Sequence, residues 1–335
     1  MISYTIRRLL LVIPTVFCAL SFLFLLFFAL PGDPATLIAG GGDRVVDPGV
    51  IERVEQRYGL DDPLLVQFKD YWTRTIQWDL GESFNNRRSV NEILGDKGIN
   101  SLRLGIWAIL IEIVVGISVG VLSAVRRYSI GDKITTVGTA ALAAVPVFVL
   151  GFIFQFLFAV QPEKQDWPDW LQLHAQGRGD DTWTFFFLPT GDQWRYLLLP
   201  AVTLACVSTA LAARMTRGSM LEVLRADYMR TARAKGLTER KVVYGHGLRN
   251  AMLPVITLLG IDLGTAIGAA ILTETVFNWQ GLGWQIAQSV GDRDLPVLLG
   301  LTLAVTLAFT LINLLVDLSY AWFDPRIRYG KGGTQ

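Results

Sequence analysis

The chain has 335 residues, of which 52% are hydrophobic and 18% charged, with a mean hydropathy of +0.41 and a net charge of +1. That leaves too little polar surface for a water-soluble protein of this length. The near-neutral balance excludes a nucleic-acid partner, which demands a strongly basic face.

A bilayer core about 30 Å thick needs about 20 apolar helical residues, because every backbone polar group must be satisfied within the segment. In chain order, six segments meet that requirement: 9–30, 104–125, 134–160, 196–213, 251–273 and 295–316. Four carry no charged residue, and the other two carry one acid each, Glu112 and Asp262. The expected fold is all-α, a polytopic bundle of about six transmembrane helices. The first run is longer than the apolar stretch of a signal peptide and is expected to stay as an anchor.

The segments joining the spans divide unequally. The set 1–8, 126–133, 214–250 and 323–335 has about twice the density of Lys and Arg of the set 31–98, 161–195 and 278–294. The positive-inside rule therefore expects both termini in the cytoplasm. The expected organisation is an N-terminus and first helix over 1–30, a small extracytoplasmic helical cap over 31–98, the main transmembrane domain over 99–322, and a cytoplasmic tail over 323–335. Trp72, Trp78, Trp167, Trp170, Trp183, Trp194, Trp279 and Trp284 fall in the outer segments and read first as an interfacial belt.

The loop 214–250 is long, basic and helical in pattern. Met220 to Lys235 are mostly helix formers, Gly236 offers a stop with positive φ, and Thr238 can cap a second helix starting at Glu239. Such an elbow either rests on anionic lipid through Arg225, Arg230, Arg233, Lys235, Arg240 and Lys241 or receives a docked subunit.

The run Asp227, Tyr228, Met229, Arg230, Thr231, Ala232, Arg233, Ala234, Lys235, Gly236, Leu237, followed by Arg249, Asn250, Ala251, Met252, Leu253, Pro254, resembles the coupling-loop signature of ABC-importer permeases, and more narrowly the oligopeptide/dipeptide permease family. Similar matches run almost end to end: Leu30 to Pro34, Gly59 to Asp61, Asp79 to Ser83, Glu274 to Phe277, Gly281 to Gly283, Arg293 to Pro296, Asn313 to Asp317 and Asp324 to Arg328. Departures are Gly245 and Gly247, where bulkier residues are expected, Gln280 in place of proline, and a longer stretch over 162–187 that is either a docking surface or a passive loop.

The resemblance implies a non-catalytic permease subunit of a binding-protein-dependent importer, with oligopeptides or dipeptides ahead of nickel chelates or glutathione as substrate. It implies a homologous second permease, two cytoplasmic ABC ATPase subunits that supply ATP and Mg chemistry, and an extracytoplasmic binding protein. Tyr228, Arg230, Ala232, Ala234, Lys235, Gly236 and Leu237 are then the expected ATPase-coupling residues, and His246 is given a structural or docking role instead of a metal one. The chain has no phosphate-binding loop, since Gly330 and Lys331 are followed by Gly332.

Acids within spans are costly and face the bundle interior or water. Asp262 is therefore expected to line the translocation pathway, and Glu112, Glu274 and Asp317 to bond helix to helix. A self-contained secondary transporter would show internal repeats, and an intramembrane enzyme would need a nucleophile or metal constellation. Neither is visible.

Overall fold

The computed structural model describes residues 2–29, 35–36, 47–179, 182–292 and 294–323. The motifs expected at 30–34 and 324–328, the tail and Arg293 lie outside the described residues, as does the side chain of Asp317. The chain forms two compact units, one of residues 2–100 with 281–310, the other of 101–280 with the end of the chain.

The first unit contains α1 (Ile2–Ala29), α2 (Pro48–Tyr58), α3 (Leu64–Ile76), the start of α4 (Val90–Ile111), α11 (Leu282–Gly291) and the start of α12 (Leu295–Phe323). Local chemistry sets the boundaries of α2. The Asp47 side chain accepts the Gly49 N–H, Pro48 takes the first turn, and Gly59 closes the helix at φ 63°. Leu20, Val90, Ile93, Val297 and Leu301 are the buried centre of this unit. Phe24 stacks on Tyr71 at 5.4 Å and meets the edge of Phe68 at 5.4 Å, so α3 packs directly on α1.

Two of the motifs noted in the sequence meet in this unit. Asp294, buried, accepts hydrogen bonds from the Ser83 hydroxyl and from the Phe84 N–H at 3.1 Å. Leu80, three residues before Ser83, enters the core. Gly300 lets it approach: a Cβ there would stand 2.6 Å from Val90 Cγ1 and 3.2 Å from Leu80 Cβ.

The second unit is arranged around α8 (Gln193–Val223), which packs against α5 (Ile117–Val125), α6 (Ile130–Ala144), α7 (Val147–Gln155) and α10 (Arg249–Val276). A π-helical segment, Glu112–Gly116, joins α4 to α5. Gly116 and Gly120 form a G-x-x-x-G pair on the face turned to α8. A Cβ on Gly116 would lie 2.9 Å from Ala212 Cβ, and one on Gly120 would lie 2.6 Å from both the Ala213 carbonyl oxygen and Thr216 Cβ. In a membrane, where lipid tails are as apolar as leucine, such close backbone approach is what holds helices together.

Among the described residues, four helices are long and apolar enough to span a membrane: Val90–Val125, Val147–Lys164, Gln193–Val223 and Leu295–Val316. A fifth span is counted if Lys241–Asp262 and Ala266–Val276 are taken together, and α1 contributes a shorter apolar run, Leu10–Leu25. The all-α bundle is therefore as expected, and the count of six holds approximately.

The expected span 134–160 is not continuous. Val145 and Pro146 are extended and break it, because proline removes a donor and biases the preceding residue away from helix. Pro146 thus begins α7 and is not a kink within one helix, whereas Pro254 does lie inside α10.

Nor do all the tryptophans form a belt. Trp279 is fully buried in a cluster with Leu104, Leu197 and Leu204, and Trp72 stacks on Phe17 at 4.9 Å. The 162–187 stretch ends in a two-stranded hairpin, β1 (Trp183–Thr184) and β2 (Leu188–Pro189), tied to α4 by Arg103 Nε and Trp107 Nε1, which donate to the Phe186 and Phe187 carbonyls at 2.6 and 2.8 Å.

Candidate functional site

The elbow between α8 and α10 is built from three pieces. α8 continues well past residue 213 to Val223, the chain turns over 224–226 with Ala226 extended, and α9 (Asp227–Ala234) follows. One helix from Met220 to Lys235 is therefore corrected to two. The physical reason is amphipathicity: Met229 and Ala232 lie one turn apart on the apolar side of α9 and must rest on Val242, Leu237 and Val223, which a straight continuation of α8 would forbid.

α9 ends at Gly236, whose φ of 77° lets its N–H reach the Arg233 carbonyl at 2.9 Å and the Leu237 N–H reach that of Ala232 at 3.4 Å. The chain then re-enters helix at Glu239, with the Val242 N–H bonded to the Thr238 carbonyl at 3.0 Å. Arg233 Nε bridges the turn to Glu239 Oε1 at 2.6 Å.

The second arm is a π-helical turn, Lys241–Leu248, running into α10. Gly247 has a structural use there: a Cβ would sit 3.3 Å from the Met229 methyl and 3.5 Å from that of Met220, so glycine leaves room for both. Gly245 faces open space, and His246 is exposed, its backbone carbonyl accepting from Asn250 Nδ2 at 2.7 Å.

Of the seven residues expected to couple, Tyr228, Arg230, Ala234, Lys235 and Gly236 are exposed together. Ala232 is not on that face; it is 7% exposed and belongs with Met229 and Val242 to the floor, where Leu237 is also packed. The elbow thus presents an exposed cationic and tyrosyl surface on an apolar clasp. The Asp227–Arg230 pair at 3.7 Å is solvated on both sides and contributes little.

A polar latch that sequence reasoning missed holds the root of the elbow. Asp132, buried at the first turn of α6, accepts from Arg217 Nε at 2.6 Å and Nη2 at 3.0 Å, from the Ser123 hydroxyl at 2.5 Å and from the Tyr128 N–H at 2.8 Å. α5, α6 and α8 are thereby joined through one carboxylate. The Arg217 guanidinium, with Ser123 and the Tyr128 N–H adding, holds the Asp132 carboxyl well below the usual carboxylate range. A carboxylate depressed in the folded state adds stability that is present above the unfolded value near pH 4 and is lost as pH falls through the folded one. In a thermal-melt series, acidification below about pH 4 should lower the melting temperature of the wild type more than that of Asp132→Asn. Equal slopes would remove the latch from the stability of this unit.

The acids of the bundle are brought together in an informative way. Glu112, 6% exposed, shares a hydrogen bond with the Asp262 carboxyl, and Glu274, 1% exposed, accepts from the Ser101 hydroxyl at 2.5 Å. Glu112 and Glu274 therefore bond helix to helix, and Asp262 is Glu112's partner. Glu112 opens the π-helical segment, a distortion that recurs at functional positions.

A bundle of apolar helices with large side chains such as Val137, Phe152 and Leu315 on its outside, joined by an elbow with a charged outer surface, is that of a multi-pass membrane protein. Residues 116–329 match the family described as binding-protein-dependent transport system inner membrane component, and residues 1–105 match its N-terminal part; the chain belongs to that family. It is 40% identical over 331 residues, 98% of its length and 100% of theirs, to the glutathione transport system permease proteins GsiC of Escherichia coli strain K12, Salmonella typhimurium and Salmonella typhi. It is accordingly a non-catalytic transmembrane subunit of an ABC importer.

Proposed function

We propose that the chain forms half of the translocation pathway of an inner-membrane importer for short peptides, glutathione among them, with both termini in the cytoplasm. A homologous permease supplies the other half, two ABC ATPase subunits grip the elbow, and an extracytoplasmic binding protein delivers the solute. The observation that carries this reading is the exposed face of α9, with Tyr228, Arg230, Ala234 and Lys235 outermost on an apolar clasp continuous with α8 and α10. ATP-driven closure of two gripped elbows would move α8 and α10 as levers and alternate access to the pathway between them.

Short peptides and glutathione share an ammonium group, and Asp262, hydrogen-bonded to Glu112, is the carboxylate assigned here to meet it. A peptide-class solute is also what the GsiC relatives' name supports.

The test is uptake into proteoliposomes holding the assembled transporter and its binding protein. Glutathione and a dipeptide should compete for entry with ATP present, and the permease alone should move neither. Asp262→Asn should slow uptake about tenfold, a loss of about 1.4 kcal/mol of stabilisation, without loss of assembly. Uptake at the wild-type rate by this variant would remove Asp262 from the pathway. Competition only by a metal chelate would overturn the substrate reading.

A further inference from the structure

Between α6 and α8 lies a cavity of about 200 Å³ lined by Thr135, Thr136, Thr139, Arg214, Arg217 and Gly218. Arg214, Arg217 and Gly218 share one face of α8, and Thr135 and Thr139 share one face of α6. The charges here do not cancel. Asp132 occupies the Nε and Nη2 atoms of Arg217, while no acid among the described residues pairs with the exposed Arg214. Thr136 and Thr139 spend their hydroxyl protons on the Asp132 and Thr136 carbonyls, so Thr135 is the lining hydroxyl placed to donate. At Gly218 a Cβ would meet nothing within 4 Å, so the floor of the cavity is open to a group that approaches the backbone.

The surroundings say where such a group comes from. Beside the cavity, Ile134, Val137 and Met215 point large apolar side chains outward, at 66%, 69% and 37% exposure. Arg214 is the first charged residue after the uncharged run 196–213 of α8, and in a helix that spans a bilayer the end of such a run falls near the lipid head groups. A guanidinium at that depth is costly without an anion, and a basic pocket between spanning helices is suited to a phosphate-bearing head group. We propose that this cavity binds the phosphate of one anionic phospholipid, with Arg214 as the primary cation, Thr135 as the hydroxyl donor, and the acyl chains lying along Ile134, Val137 and Met215. The bound lipid sits against the latch at the root of the elbow. The site does not depend on which solute is carried.

The experiment uses the full-length chain in detergent, titrated with phosphatidylglycerol or phosphatidylcholine and read by native mass spectrometry, with inorganic phosphate in a separate arm. The wild type should retain one phosphatidylglycerol at least about tenfold better than phosphatidylcholine. Arg214→Gln should abolish that preference, Arg214→Lys should keep most of it, and Thr135→Val should weaken it about threefold, each with an unchanged melting temperature. Equal retention of phosphatidylglycerol by Arg214→Gln would overturn the site. So would full displacement by inorganic phosphate at millimolar concentration, which would make the cavity a soluble-anion site.

Discussion

Replacing Gly120 with leucine is expected to leave almost no folded protein in the membrane. A single added carbon would lie 2.6 Å from the Ala213 carbonyl oxygen and from Thr216 Cβ, and Leu adds three more carbons behind it. Because the first obstacle is backbone, no rotamer change relieves it, and α5 and α8 must separate. Overpacking of this kind costs about 3 kcal/mol or more, which is a large part of the stability of an ordinary domain. The separation would also pull Ser123 and Arg217 away from Asp132, since those two side chains come from the same two helices. Gly105→Ala is the control: no atom lies within 4 Å of a Cβ there, and alanine is the better helix former. The measurement is the yield and melting temperature of each variant in detergent. A Gly120→Leu protein as stable as the control would mean that α5 and α8 do not pack as described.

Gly236→Val should give the opposite pattern, a folded and assembled transporter that no longer couples. At φ 77° a side chain strains the backbone by about 1–2 kcal/mol, and a β-branched one by more, although nothing stands within 4 Å of the Cβ position. The site is exposed, so the strain is released by re-forming the turn and not by unfolding the bundle. α9 then ends at a different angle, and the face carrying Tyr228, Arg230 and Lys235 is misdirected. Substrate-stimulated ATP hydrolysis and transport should both fall at least about tenfold, corresponding to about 1.4 kcal/mol or more of lost coupling. Gly236→Asn, which tolerates the left-handed region, should recover most of the activity. Stimulated hydrolysis at the wild-type level in Gly236→Val would show that the direction of α9 does not carry the coupling.

The two variants separate what the elbow does from what holds it. The glycine of the turn sets the direction of an exposed surface, while Gly116 and Gly120 set the distance between two buried backbones. Between them lies the Asp132 latch, which fastens α8 just before the chain leaves for α9.

What the sequence determined by itself is whatever rests on local chemistry. Hydropathy over 20-residue windows located most of the spanning helices, since each must satisfy its own hydrogen bonds in lipid, but not the break at Val145 and Pro146. Glycine at 236 announced the turn, and the long, basic run of helix formers around it announced the elbow. The G-x-x-x-G at Gly116 and Gly120 was missed there; its signal is small residues four apart in an apolar helix, which does not say which helix they meet.

Only the tertiary structure decided the pairings. Asp132 and Arg217 are 85 positions apart, Ser83 and Asp294 are 211 apart, and no periodicity couples such distant residues. The same holds for Glu112 and Asp262, and for Ala232, whose inward position depends on α9 folding back over Val242. The physical reason is that a lone polar residue in an apolar helix declares that it needs a partner, but the angle and rotation at which helices pack decide which partner it finds.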